Sequence, residues 1–195
     1  MNYARRQQYR RLSRTGRAAA VSGVAALLAL IVAGAGVVPL AGLLLLTACG
    51  LGLYARHWLA LAGRSRVGAR SEDEVQRALA PLRAEGWRLR HSMPWRRRGD
   101  IDSVAIAPTG VAFVIETKTR TYDRHHLERV QEQAWWLSRR RRRWCPRGAL
   151  VVLCLARARG VQRVEDEVLV LSIDRLTPVL QSSAGALLSD VWSAC

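Results

Sequence analysis

The sequence predicts an α/β domain, a mixed sheet with helices on both sides, preceded by a transmembrane helical hairpin. Three observations carry this. Residues 18–54 form an apolar stretch without one charged side chain. Beyond residue 70, segments of helical and of strand periodicity follow one another as helix, three strands, helix, a strand and then a strand pair, helix. Charge is also unevenly spread: residues 1–70 hold ten Arg and no acid, so they supply +10 of the formal net charge of +16, and the remaining +6 is spread over the rest. Basic flanks on an apolar stretch are a sign of membrane topology rather than of a nucleic-acid footprint.

Thirty-seven helical residues would extend roughly 55 Å at about 1.5 Å per residue, against a hydrocarbon core of about 30 Å. The run also contains Gly34, Gly36 and Pro39 near its middle, residues that favour a reversal. The expected arrangement is a basic cytoplasmic N-terminus at 1–17, a hairpin at 18–55 with helices near 18–35 and 38–55, and a basic linker at 56–70. Arg5, Arg6, Arg10, Arg11, Arg14 and Arg17 precede the hairpin and Arg56, Arg64, Arg66 and Arg70 follow it. Both ends are therefore expected in the cytoplasm of a multi-pass cell-membrane protein, with the lipid bilayer contacted through 18–55. An exported lipoprotein, hinted at by Leu46-Thr47-Ala48-Cys49, is disfavoured because Leu51, Leu53 and Tyr54 continue the apolar run.

The globular domain is expected over 71–195. Ser71 can cap a helix whose first turn is acidic (Glu72, Asp73, Glu74), with Val75, Ala78, Leu79 and Leu82 on one face and an end near Gly86. Alternation over 87–94 predicts a strand, and 95–99 a basic turn. DIDSVAIA at 100–107 and VAFVIETK at 111–118 read as strands joined through Pro108-Thr109-Gly110. A helix over about 124–143 presents Leu127, Val130, Ala134 and Leu137 and ends in five arginines, which suit its negative end. GALVVLCLA at 148–156 is a buried-type strand, 161–171 a strand pair and 172–188 a terminal helix. The cysteines Cys49, Cys145, Cys154 and Cys195 lack zinc-ligand spacing and are expected as free thiols.

The chemistry-bearing residues lie on the second and third strands. Residues two apart on a strand share a face about 6.6 Å apart, so Glu116 and Lys118 point together. Asp102 on the adjoining strand reaches them if the register is favourable. Carboxylates clustered on a sheet repel unless a hard cation offsets the repulsion; the plain alternative is an exposed cross-strand ion pair of little energetic value. Lys118 is the one lysine beside thirty arginines. Asp100 is a further acidic candidate. Tyr122, His125 and His126 follow the strand, and the arginines of 139–143 with Trp135, Trp136 and Trp144 are suited to a phosphate backbone or anionic lipid.

GDIDSVAIAPTGVAFVIETK resembles the central motif of the nuclease-related (NERD) proteins, a branch of the PD-(D/E)xK nuclease superfamily. In that superfamily an Asp begins one strand and an acid-x-Lys follows on the next, which places the motif at Asp102, Glu116 and Lys118. Gly68-Ala69-Arg70-Ser71-Glu72 is similar to the upstream G-x-x-G-E of the family, with Ser71 in place of the second Gly. A glutamine in the following helix is typical, and Gln133 fits best, with Gln131 as rival. The resemblance covers about 68–140. It implies a restriction-endonuclease-like sheet and a hydrolase cutting phosphodiester bonds of nucleic acid, with DNA as the expected partner and the choice between DNA and RNA left open; together with the apolar hairpin this makes a membrane-anchored nuclease. Mg2+ (or Mn2+) would lie on Asp102, Glu116 and Glu72, with Lys118 and Gln133 completing the catalytic set. The alternative is a non-catalytic module on a nuclease fold that binds nucleic acid or protein at the membrane.

Overall fold

The computed structural model describes residues 3–95 and 99–185, with side chains from Gln8 onward. The expected turn residues 96–98 and the end of the expected terminal helix, 186–188, lie outside the described residues. Two compact units divide near Val67.

The first unit is a helical hairpin. Helix α1 spans Tyr3–Gly34 and α2 spans Val38–Leu79. The reversal falls where Gly and Pro predicted it. Gly36 adopts φ 80°, a left-handed conformation open to glycine, and its N–H donates to the Ala33 carbonyl at 3.0 Å. Pro39 sits in the first turn of α2, where its missing N–H has no helical partner to lose.

Small residues line the inside of the hairpin. Ala41, Ala48, Ala55 and Ala62 of α2 are buried and seven residues apart, and Ala18, Ala25 and Ala29 of α1 are buried as well. The Ser22 hydroxyl donates to the Ala48 carbonyl at 2.7 Å. The large apolar side chains point the other way: Leu30 and Leu46 are each 72% exposed, and Leu27, Ile31, Leu43 and Leu53 are exposed as well. Both helices are long and apolar enough to cross a membrane, with a mean hydropathy of 1.9 over their most apolar stretch.

Both basic flanks of the apolar stretch are helical. The segment 1–17 is helical from Tyr3, and 56–70 is the interior of α2 rather than a linker. The heptad of alanines runs on past residue 55, so the seam continues through the basic segment. Arg11 donates to the Leu61 carbonyl at 2.9 Å and bonds the Ser65 hydroxyl, and the Arg14 guanidinium lies 4.7 Å from the Trp58 ring centroid. These contacts offset the propensity cost of Gly63, about 1 kcal/mol. Ser71 consequently sits mid-helix and caps nothing.

The second unit is the α/β domain. After α2 comes a 3-10 turn, Ala80–Glu85, stopped by Gly86 at φ 83°. Then follow β1 Arg88–Pro94, β2 Asp100–Ile106, β3 Ala112–Lys118, α3 Arg124–Arg140, β4 Ala149–Leu155, β5 Gln162–Glu165, β6 Val168–Ser172 and α4 Ile173–Ser183. The sheet order is β1-β2-β3-β4-β6-β5. Strands β3, β4 and β6 are mutually parallel, and the hairpin neighbours are antiparallel. This is the expected mixed α/β sheet.

One face packs Phe113, Ile115, Val152 and Leu171 with Val75 and Leu79 of α2 and Leu176 and Leu180 of α4. The other packs Val104, Val114, Leu153 and Val170 under Leu127, Val130 and Leu137 of α3. The even-numbered residues of β3 therefore face α3, which fixes the side on which Glu116 and Lys118 emerge. Helix α3 ends three residues earlier than expected, because Arg141 turns to φ −128°, ψ 38°.

Candidate functional site

Strand β3 is buried from Ala112 through Thr117, and its last third is polar. Val114 pairs with Val104 and Ile115 with Ser103 across β2–β3. Continued by one residue, that register sets Asp102 opposite Glu116. The Asp102 Oδ2 accepts from the Thr117 N–H at 2.8 Å, so its carboxylate leans between Glu116 and Lys118. Lys118 Nζ lies 3.0 Å from Glu116 Oε1. The acids and the amine thus gather at one end of β3, the end from which the parallel strands β3 and β4 both emerge.

Gln133, fully buried on the inner face of α3, donates from Nε2 to Glu116 Oε2 at 3.4 Å. Gln131 points elsewhere and bonds the Asp166 carbonyl in the β5–β6 turn. The structure thus puts Gln133, of the two candidates, against the carboxylates. Glu72 is half-buried on α2 and near enough for its charge to act on Asp102. Asp100 opens β2 opposite Pro94.

Asp102 carries the strongest electrostatic signature. Burial of its carboxyl, then the charges of Glu116 and Glu72, push it well above the usual carboxylate range; the Thr117 N–H and Lys118 oppose this without prevailing. The first cause is desolvation, which disfavours the charged form. His126, in the first turn of α3, is held below its ordinary range by burial and then by Lys118, against the pull of Asp123 and Glu116. Asp123 caps α3 by accepting from the His126 N–H at 3.1 Å.

The donor set fits a hard divalent cation held partly by water and substrate. Among the described residues no three His, Cys, Asp or Glu side chains already converge as a metal cage. Two carboxylates converge, and Mg2+ is commonly bound through one or two carboxylates together with substrate phosphates. The buried Oε1 of Gln133, whose Nε2 donates to Glu116, has no hydrogen-bond partner, leaving an acceptor beside that carboxylate. Such orphaned oxygens are costly in a closed core and expected in a site that receives a ligand.

The sequence pattern left two contributors unmarked. Thr117 acts through its backbone N–H, which no side-chain pattern reveals. Ser71 donates to or accepts from the Thr119 hydroxyl at 3.3 Å, tying α2 to the chain just after β3. Its spacing of four from Val75 marks it as belonging to the buried face, and that was the available signal.

The strand pair bearing Asp102 and Glu116-x-Lys118, with α3 laid over it, defines a nuclease-like α/β domain. Residues 67–150 match the family model described as the nuclease-related domain, NERD, which belongs to the PD-(D/E)xK-like nuclease superfamily. Over those residues the chain is similar to the NERD domain, and the resemblance noted around residues 68–140 stands. The match takes in the end of α2, β1 to β3, α3 and the start of β4. Comparison with curated proteins gave no match, and comparison with solved structures gave none either.

Proposed function

We propose that the protein is a membrane-anchored, metal-dependent nuclease acting on nucleic acid, with DNA as the expected substrate. The observation that carries this reading is Asp102: a desolvated carboxyl facing Glu116 and Glu72 and charged only at a cost. Nothing in packing requires an acid there, whereas a cation would offset the repulsion. Mg2+ or Mn2+ on Asp102 and Glu116, with Glu72 behind, would polarise a phosphate and lower the pKa of a bound water. Lys118 sets one ammonium beside that position to orient the attacking water or neutralise charge on the phosphate. Gln133 holds Glu116 on its far oxygen and fixes the carboxylate's orientation.

The membrane part of the proposal rests on the inverted hairpin, small residues inside and large apolar ones outside. In water such a surface would be an aggregation hazard; in lipid, close packing on small residues is the usual interface. The basic flanks favour a cytoplasmic position for both termini and the NERD domain.

The test uses the full chain in detergent. It should cut DNA with Mg2+ or Mn2+ and not with chelator, and Lys118→Ala and Glu116→Ala should each abolish cutting while thermal unfolding stays cooperative. Cutting by both variants at the wild-type rate would sink the assignment. One observation favours a second reading, a non-catalytic adaptor: Glu116 is already occupied by Lys118 and Gln133. Calorimetry separates the two, because the adaptor predicts no heat on adding millimolar Mg2+.

A further inference from the structure

Helix α3 ends in a feature that the carboxylate site does not use. Trp135, Trp136, Arg139, Arg140 and Arg141 line an open cleft of about 520 Å3. Trp135 is 53% exposed, and the Arg139 guanidinium lies 4.5 Å from its ring centroid. Beyond the helix end, Arg141 and Arg90 stand 5.2 Å and 5.6 Å from the Trp144 ring.

A charged helix end accounts for only part of this. The negative end of α3 is served by the two arginines of its last turn, Arg139 and Arg140. Three more follow, and among the described residues none of the five is ion-paired with an acid. The large exposed indole has no structural role that capping would supply. Uncompensated guanidinium groups interleaved with open aromatic rings are what a phosphate backbone with unstacked bases needs.

We infer that this cleft is a binding platform for single-stranded nucleic acid, in which a base stacks on Trp135 and phosphates lie along Arg139, Arg140 and Arg141. The inference rests on the nuclease reading for its biological sense and not for its chemistry. Gln133, which touches Glu116, lies seven residues from Arg140, or about 10 Å along the helix at 1.5 Å per residue. A strand held in the cleft therefore has its neighbouring phosphates within a few nucleotides of the carboxylates. A duplex is a poorer fit, since its bases are already stacked and cannot reach an indole. An anionic bilayer is also a poorer fit. The hollow on the other side of Trp135 is lined by Glu128 and Glu132, and a flat anionic surface pressed on that ring would meet them.

The experiment is fluorescence anisotropy of a labelled oligothymidylate of about 12 nucleotides, within the usual range of site sizes. The full chain is held in neutral-lipid nanodiscs with chelator present, so that nothing is cut. Trp135→Ala should weaken binding about 5- to 150-fold, the range found for loss of one stacked base, while Trp135→Phe should keep most of it. Arg139→Ala with Arg140→Ala should flatten the salt dependence by about 0.7 in log–log slope for each phosphate no longer neutralised. Arg175→Ala, an exposed arginine of α4 on the opposite face of the sheet, should bind as wild type. Wild-type affinity in Trp135→Ala would overturn the platform, as would a Trp135 dependence equal for duplex and single strand. So would loss of oligonucleotide binding when the nanodiscs are made anionic, which would assign the cleft to lipid. Intact binding by a chain that never cuts would sink the nuclease reading and leave the platform standing.

Discussion

Replacing Asp102 by asparagine separates function from stability, because the two should move in opposite directions. Asparagine keeps an oxygen that can accept from the Thr117 N–H, as Asp102 does at 2.8 Å, and removes the charge that Glu116 and Glu72 oppose. A buried polar group left incompletely compensated costs about 1–3 kcal/mol, so Asp102→Asn should recover stability in that range in metal-free protein. The sign follows from linkage. The carboxyl is raised in the folded state, so the native protein binds more protons than the unfolded chain between the two pKa values. Its stability contribution is complete below the unfolded value, about 3.9, and is lost as pH rises through the folded value. The gain from Asp102→Asn should thus be small near about pH 4 and grow toward about pH 8. Thermal unfolding in detergent, followed by tryptophan fluorescence, reads it as a rise of roughly 2–8 °C for each kcal/mol. Millimolar Mg2+ should raise the midpoint of the wild type and leave Asp102→Asn unchanged. A variant less stable than wild type near about pH 8, with the same response to Mg2+, would refute the reasoning and make Asp102 a structural anchor for Thr117.

Phe113 is fully buried and its ring centroid lies 5.8 Å from that of Trp87. Phe113→Ala should cost about 3–5 kcal/mol, seen as an earlier denaturation midpoint. The Cys154 thiol is pushed up to about 12 by burial, so it should resist iodoacetamide in the folded protein and label on unfolding, as read by mass spectrometry. Ala62→Leu overfills the hairpin seam, at about 1–3 kcal/mol, and trypsin should cleave faster at Arg11 and Arg14 in detergent than in the wild type.

The sequence announced the sheet because its signals were local. Alternation or an apolar run marked each strand, Gly86 stopped the helical region, and Pro108-Thr109-Gly110 closed the β2–β3 hairpin. The strand pairing around Asp102 and Glu116 was legible from the short connection alone. What composition did not reveal is that the basic segment between hairpin and domain is helical. A charged, glycine-containing segment reads as a linker when judged by composition, yet the alanine repeat at 41, 48, 55 and 62 runs straight through it. Ser71 was misread for the same reason: a residue suited to capping is only a cap if the helix begins there. At the site, side-chain identity pointed to Asp102, Glu116 and Lys118, but the choice between Gln131 and Gln133 depended on the phase of α3 against β3. That phase is set by which residues of α3 reach the core, and Gln133 is adjacent to the buried Ala134.

The position of the acids along β3 explains how the domain tolerates them. From Ala112 to Ile115 the strand is hydrocarbon on both faces, and an acid there would have no route to water or to a ligand. Two residues later the strand is still buried, but it ends: Lys118 is partly exposed, Asp102 retains some access, and α3 begins nearby with His126. The acids therefore stand at the boundary where the core gives way to an opening. They are dry enough for their repulsion to be felt and close enough to the surface for a cation or a phosphate to arrive. An ion pair meant only for stability would gain little from such a place, since burial would remove water from it and leave the Gln133 oxygen unsatisfied. The cation proposed above would offset the repulsion between the acids at that boundary. That is why the Asp102→Asn variant is expected to be the more stable protein and the inactive one.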